Sequence, residues 1–356
     1  MAGFDGEKSA TLAHVARAAN VSKGTASNVF NRPDIVREEV RERVLAAAKA
    51  IGYHGPDPKG RLLSAGKVNA IGVATAEPLA YFFEDPYARV LMTGITEECD
   101  ARGAGISLVS SANDEDLAWN VRNAVVDGFI LFCLESADRL IVASRERQLP
   151  FVALAFGHRD ETIPVIGIDN IAGARAAAAH LAELGHRRFA ILTMEFTEGN
   201  FGPATQERIE AANYWDSRDR VTGYRQALAA HGIDPLSAPV FETRSDRETV
   251  SAGLEYVFSL SPAPTAILAE SDIIAFLAID WLRERGLRVP EDVSIVGFDG
   301  VPETARSNPP LTTIEQPIAE IGRRAVRAIL DGQGNTVRET LGVKLVVRES
   351  TAPPPA

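Results

Sequence analysis

Cysteine and aromatic residues are scarce in this 356-residue chain, which has 2 cysteines and only 7% aromatics. Two cysteines cannot build a disulfide framework, and Cys99 and Cys133, in helix-like and strand-like apolar contexts, read as buried thiols. With so few rings, the core must rest on Ala, Val, Ile and Leu. No apolar run approaches the roughly 20 residues of a bilayer-spanning helix, and the longest candidates, such as 129–134, read as buried strands. The opening Met-Ala-Gly-Phe-Asp-Gly-Glu-Lys lacks the apolar stretch of a signal peptide, so a cytoplasmic, membrane-free protein is expected. With 46% hydrophobic and 24% charged residues the chain is a folded protein, and its length suggests two or three domains.

Positive charge is also in short supply. There are 37 Lys and Arg against 48 Asp and Glu, a formal charge of −11, which taken whole argues against a nucleic-acid partner. The deficit is uneven. Residues 1–68 hold eleven bases and seven acids, a net of +4, and the remainder carries −15. A small basic head on a large acidic body is the pattern to explain.

Catalytic motifs are missing. There is no G-x-G-x-x-G after a strand, no P-loop, no G-x-S-x-G elbow and no H-E-x-x-H. His158 and His186 each follow a glycine at a turn and read as loop or cap residues rather than metal ligands. No cofactor or metal is called for, and an enzyme is not expected.

The basic head carries structure of its own. Residues 11–51 predict three short helices. The first, 11–18, turns Leu12, Val15 and Ala16 inward, with Thr11 as a possible cap. Asn20, tolerant of a left-handed conformation, breaks the chain, and Ser22 caps a second helix running to about Asn31. Pro33-Asp34 breaks it again. A third helix from about Arg37 places Val40, Val44, Ala47, Ala48 and Ile51 on one face. Two helices joined by a three-residue turn are the layout of a helix-turn-helix. The second helix would show Lys23, Thr25, Ser27, Asn28 and Asn31 outward, side chains that suit base edges and phosphates. A solvated bundle with no partner is the other reading of that face.

These residues closely resemble the headpiece of the LacI family of bacterial transcriptional repressors, through Thr11-Leu12, Val15-Ala16, Val21-Ser22 and Gly52-Tyr53. The resemblance implies base reading at Lys23, Gly24 and Asn28, and phosphate contacts near Leu12, Ser22, Thr25, Ser27 and Asn31. Gly24 offers no side chain where relatives have one, and Arg37 stands where a Ser commonly caps the third helix. Residues 59–67 resemble the family's hinge helix, which enters the minor groove. Arg61 matches its arginine, and Leu63 matches the leucine that wedges between base pairs. A linker leucine packing on the core is the alternative for Leu63. Gly60 in place of the usual Ala makes an isolated hinge helix less favourable by up to about 1 kcal/mol.

From residue 68 onward short apolar strands alternate with amphipathic helices. Strands are predicted at 70–74, 106–110, 128–134, 151–155, 165–168, 188–193, 266–269 and 293–298. Helices are predicted at 89–102, 172–184, 221–230 and 272–285, with Gly103, Gly185, Gly232 and Gly286 just past helical patterns as C-terminal caps. Such βαβ repetition implies doubly wound parallel sheets. The LacI-family resemblance continues through Asp169-Asn170, Gly173, His180-Leu181 and Gly185-His186-Arg187, and then through segments 220–224, 264–272, 286–300 and 309–317. It implies an all-α headpiece with a hinge helix on a two-lobed, periplasmic-binding-protein-like α/β core. Three crossovers would join the lobes, with a ligand cleft between them.

The implied organisation is a headpiece at 1–55, a linker and hinge helix at 56–68, and an effector-binding and dimerisation core at 69–356. Its first lobe would take about 69–168 plus 301–330, and its second about 169–300 plus 331–350. Ligands in open α/β sheets bind beyond the carboxyl ends of strands. Asp299 ends a strand, Ser271 follows one, and Arg220 is expected to open a helix. By resemblance these match effector contacts, with a capping Asp, a helix-capping Ser and a surface Arg as alternatives. Tyr81-Phe82-Phe83 could stack on a sugar or form a hydrophobic lid, and Ala155-Phe156 stands where relatives place a polar group. The segment 196–215 reads either as a cleft cover or as a loose loop.

The expected function is sequence-specific regulation by a homodimer on near-palindromic double-stranded operator DNA. A small effector, sugar-like from the resemblance, would act more by induction than by corepression. The C-terminus has no heptad extension, which favours a dimer. A transport solute-binding protein, which shares the lobes, is the rival.

Overall fold

The computed structural model describes residues 10–55, 67–75, 77–110, 114–132, 137–154 and 161–355. They fall into two compact units, one ending at Val68 and one beginning at Asn69. Among the described residues no helix is long and apolar enough to cross a membrane.

The first unit consists of helices Leu12–Ala18, Lys23–Asn31 and Glu38–Ala50, with a 3-10 turn at Pro33–Ile35 where the Pro-Asp pair breaks the chain. Asn20 takes a φ of 51° between the first two helices, as its short polar side chain permits. Ser22 Oγ accepts from the Thr25 backbone N–H at 3.0 Å and starts the second helix. Arg37 gives the third helix no side-chain cap. Glu38 and Glu39 occupy its first turn, where negative charge is favoured by the helix dipole. Inside, Val15, Ala16, Ala19, Ala26, Val29, Val44 and Ala48 form a small core. Phe30 and Tyr53 close it edge to face at 5.5 Å.

The second unit contains two sheets. The strands of the first are β1 (Ala70–Thr75), β2 (Gly105–Ser110), β3 (Gly128–Phe132), β4 (Phe151–Leu154), β5 (Val165–Ile168) and, from late in the chain, Arg338–Leu341, here β12. Their order is β12-β5-β4-β3-β1-β2, parallel throughout. The second sheet holds β6 (Phe189–Thr193), β7 (Gly202–Pro203), β8 (Val240–Glu242), β9 (Ala266–Ala269), β10 (Ser294–Asp299), β11 (Thr312–Glu315) and β13 (Lys344–Val346). Its order is β13-β11-β10-β9-β6-β8-β7, antiparallel only at its two edges.

Helices cover both faces of each sheet. Pro86–Arg102 and Ile318–Leu330 share a core with one face of the first sheet, through Leu91, Ile95, Ile321, Ala325 and Val326. These two helices approach so closely that a Cβ on Gly322 would lie 2.6 Å from the Leu91 carbonyl oxygen. Asn170–Glu183 and Trp215–Ala230 pack together on the second sheet around Ala174, Leu181, Tyr224 and Leu228. Arg247–Ser259 and Asp272–Glu284 cover its other face.

The expected lobe limits move in two places. Residues 312–315 were expected with the first lobe, yet they pair with β10 in the second sheet. Residues 338–341 were expected with the second lobe, yet they pair with β5 in the first. The reason is that the chain crosses between sheets after Ile168, after Glu315 and again after Leu341, so the late segments alternate between lobes. His186 lies in the loop after Asn170–Glu183, as expected, and its backbone N–H caps that helix by donating to the Leu181 carbonyl at 3.1 Å. Its ring is fully buried between Thr265 Oγ1 and the Ala352 carbonyl, each 2.9 Å away. Cys99 is a buried free thiol, pushed up to about 11 mainly by burial. Cys133 and His158 lie outside the described residues.

Candidate nucleic-acid interface and ligand cleft

On the first unit, the helix Lys23–Asn31 buries Ala26 and Val29 and turns its other side outward. Ser22, Lys23, Gly24 and Asn31 are exposed, while Leu12, Thr25, Ser27 and Asn28 are half-buried. Part of this polarity is spent locally. Ser22 and Thr25 hydroxyls bond at 2.8 Å, and Asn31 Nδ2 donates to Ser27 Oγ at 3.1 Å. Lys23 and Asn28 make no side-chain hydrogen bond or ion pair among the described residues, which leaves an ammonium and a carboxamide available on the part of the helix away from Ala26 and Val29. Arg61 and Leu63 lie outside the described residues.

In the second unit the carboxyl ends of both sheets' strands converge on a cavity of about 680 Å³. Glu77 and Pro78 follow β1, Phe132 ends β3, and Ile168 ends β5. From the second sheet come Met194 and Glu195 after β6, Arg244 and Ser245 after β8, Ser271 and Asp272 after β9, and Asp299 at the end of β10. The volume falls within the range of small-molecule sites, and the placement is where open α/β sheets bind ligands.

Arg220 is the buried centre of this cleft. It does not open a helix as expected. It lies in the second turn of Trp215–Ala230, because the helix begins earlier, at Trp215. Its Nε donates to Asn170 Oδ1 at 2.9 Å, its Nη1 donates to the Glu270 carbonyl, and its guanidinium lies 3.9 Å from the centre of the Phe298 ring. Asp299 Oδ1 is 3.8 Å from Nη1 and accepts from Gln316 Nε2 at 2.8 Å. Burial would lower the Arg220 pKa, but Asp299, Asp216 and Glu270 outweigh it and hold the group charged. Burial pushes the Asp299 carboxyl well up, against the pull of Arg220. Asp299 also holds a φ of 122°, a left-handed backbone rare outside glycine.

Asp272 is fully engaged. Its Oδ2 accepts from the backbone N–H of Gly300 and Val301 at 2.7 and 2.9 Å, and its Oδ1 accepts from Thr313. Burial raises its pKa to about 7. Ser271 lines the cavity while its Oγ accepts from Ile274 N at 3.2 Å, so the capping role and the cleft position coincide.

Tyr81 lines the cavity and stacks with Phe132 at 6.0 Å, Phe82 is core, and Phe83 is 66% exposed. Phe156 lies outside the described residues. The segment 196–215 is built structure rather than a loose loop. Phe196 is fully buried, β7 pairs with β8, helix Gln206–Glu210 follows, and Tyr214 and Trp215 reach the cleft wall. Asn170 and Gln316 were not singled out as cleft residues. Both lie in segments that carry the resemblance, but their partners, Arg220 and Asp299, are distant in sequence or on another element.

Comparisons with known proteins bear on both surfaces. Residues 11–56 match the family described as bacterial regulatory proteins, lacI family, and 178–351 match a periplasmic binding protein-like domain. A helix-turn-helix-type transcriptional regulator of Mycobacterium tuberculosis is 38% identical over 354 residues, covering 98% of each chain. The chain belongs to the LacI family. Two solved structures extend the likeness. The lac repressor dimer bound to operator and the anti-inducer ONPF aligns with a TM-score of 0.78 and 27% identity, over 97% of this chain and 100% of that one. A CelR–cellobiose complex aligns with a TM-score of 0.70 and 28% identity, over 96% and 99%. As a LacI-family member the protein is a DNA-binding transcriptional regulator, with a helix-turn-helix headpiece and a two-lobed core. A transport solute-binding protein would have no use for the segment 11–56, and that rival falls.

Proposed function

We propose that the protein is a repressor that binds near-palindromic operator DNA as a homodimer and is controlled by a small, sugar-like effector held in the cleft. The observation that carries this reading is the pairing, in one chain, of a helix-turn-helix headpiece with an interlobe cavity of about 680 Å³. Lys23, Gly24 and Asn28 would read bases in the major groove. Leu12, Ser22, Thr25, Ser27 and Asn31 would hold phosphates, while Arg61 and Leu63 would act in the minor groove.

In the cleft, Arg220, Ser271, Asp299, Tyr81 and Phe156 are the proposed effector contacts. The effector favours the lobe arrangement that it binds more tightly and changes operator affinity by no more than that difference. Release of DNA on effector binding is the expected direction. The cleft is read as a binding rather than a catalytic site, because its buried carboxyls Asp272 and Asp299 are held by Gly300, Val301, Thr313 and Gln316. Such a regulator would act in the cytoplasm, on the nucleoid when bound.

A gel shift with DNA from upstream of the protein's own gene tests the proposal. Sequence-preferring, salt-sensitive binding is expected, and its absence would sink the reading.

A further inference from the structure

We infer that the ligand of the cleft is a hydroxylated amine, and that Glu77 and Glu195 form the subsite for its positive charge. This rests on the cleft being the effector site. Its described lining has eight carboxylates and two guanidiniums, and both guanidiniums already have a carboxylate partner. Arg220 spends Nε on Asn170 and Nη1 on the Glu270 carbonyl and Asp299, which leaves Nη2 to donate to a ligand oxygen. Arg244 pairs with Asp246 at 3.2 Å and lies over the Phe201 ring at 4.9 Å. Among the described lining residues no cation lacks a carboxylate partner, so a ligand carboxylate or phosphate would have to compete with one.

Most of the carboxylates are committed too. Asp272 and Asp299 are bonded as described, Asp216 accepts from Asn170, Asp219 from Arg218, and Asp85 caps Ala88 N. Glu84 is exposed to solvent, which leaves Glu77 and Glu195. They follow strands of opposite lobes, both are half-buried, and the charge of Glu77 acts on Glu195. Glu195 accepts from Gly199 N at 2.7 Å with one oxygen, while the Glu77 carboxylate makes no hydrogen bond or ion pair among the described residues.

Burial first, and then neighbouring carboxylates, push Glu195 up to about 7 and raise Glu77, whose neighbour is Asp85. Each is a negative group short of a positive partner. An ammonium placed between them would answer both burial and repulsion through charge-assisted hydrogen bonds. Beside them Tyr81 and Tyr87 stack with Phe132 at 6.0 and 5.8 Å, and this aromatic wall suits the ring face of a hydroxylated ligand and favours a cation. The committed acceptors Asp299 and Asp216 retain lone pairs for ligand hydroxyls.

The test is thermal-shift titration of the full-length protein with matched sets. These are glucosamine, glucose and glucose 6-phosphate, and the same three forms of galactose and mannose. At least one amine should bind about tenfold or more tightly than its neutral counterpart, and the phosphorylated forms should not bind. Glu195→Gln and Glu77→Gln should each bring that amine to within about twofold of the neutral sugar. Replacing a crowded carboxylate by an amide removes repulsion, so both variants should melt, without ligand, no lower than wild type. Preference for a neutral or phosphorylated form, a preference that survives both substitutions, or no binding by any set overturns the inference. The regulator reading is decided separately, by the operator gel shift, and would stand in each of those cases.

Discussion

Asp299 concentrates several opposing demands at one residue. It closes β10 with a backbone conformation that L-residues rarely adopt, its carboxyl is buried, and Arg220 and Gln316 converge on one of its oxygens. Removing the carboxyl would leave a buried guanidinium short of its nearest counter-charge and Gln316 short of an acceptor. Breaking one side of a buried pair costs about 3–5 kcal/mol. Asp216 and Glu270 still face Arg220, so Asp299→Ala should fall at or below the lower end of that range, at about 2–3 kcal/mol. Asp299→Asn keeps an oxygen for Gln316 and the same shape, and should lose less than half as much. Urea denaturation compares the two, and equal losses would show that the carboxyl holds no structural pair. That Asp299 ends a strand facing a cleft was legible in the sequence, since an acid closes an apolar run. The commitment of Arg220 to Asn170 and the Glu270 carbonyl was not, because both partners lie 50 positions away in sequence.

Among the elements, the long apolar strands and the helices with glycine caps were legible, and the short strands were not. β7 has two residues and β8 three, too few to establish a period. β12, Arg338-Glu339-Thr340-Leu341, alternates exposed and half-buried positions at a sheet edge, and its first two residues read as surface. Its membership of the first sheet follows from tertiary pairing with β5. The contact between Pro86–Arg102 and Ile318–Leu330 was equally hidden, because it depends on two glycines far apart in the chain. A Cβ on Gly94 would run into the Ala319 carbonyl, whose backbone cannot move aside without shifting its helix. Gly103, by contrast, caps the first of these helices with a φ of 63° and nothing near its missing Cβ. Gly94→Ala should therefore destabilise by about 2–3 kcal/mol through overpacking, and Gly103→Ala by about 1 kcal/mol through backbone strain alone. Chemical denaturation of the two variants checks the order, and a smaller loss at Gly94 would mean that the helices separate readily.

For the whole molecule, the decisive quantity is charge per unit rather than total charge. The formal −11 is a sum of +4 on residues 1–68 and −15 on the rest. A protein that neutralises phosphates releases their counterions, so its affinity falls steeply with salt, whereas an acidic surface gains nothing from them. If two headpieces together meet about 6–10 phosphates, operator affinity should fall by about 10³–10⁵ between 50 and 200 mM salt. Binding to a random duplex should be weak at both ends of that range, because the core's −15 opposes accumulation on DNA wherever base contacts do not hold the protein in place. Fluorescence anisotropy with labelled operator and random duplexes over that salt range measures both terms. A slope near zero for the operator would mean that binding does not run through the basic headpiece. Random-sequence affinity close to that for operator at 200 mM would mean that the acidic core does not keep the protein off non-operator DNA.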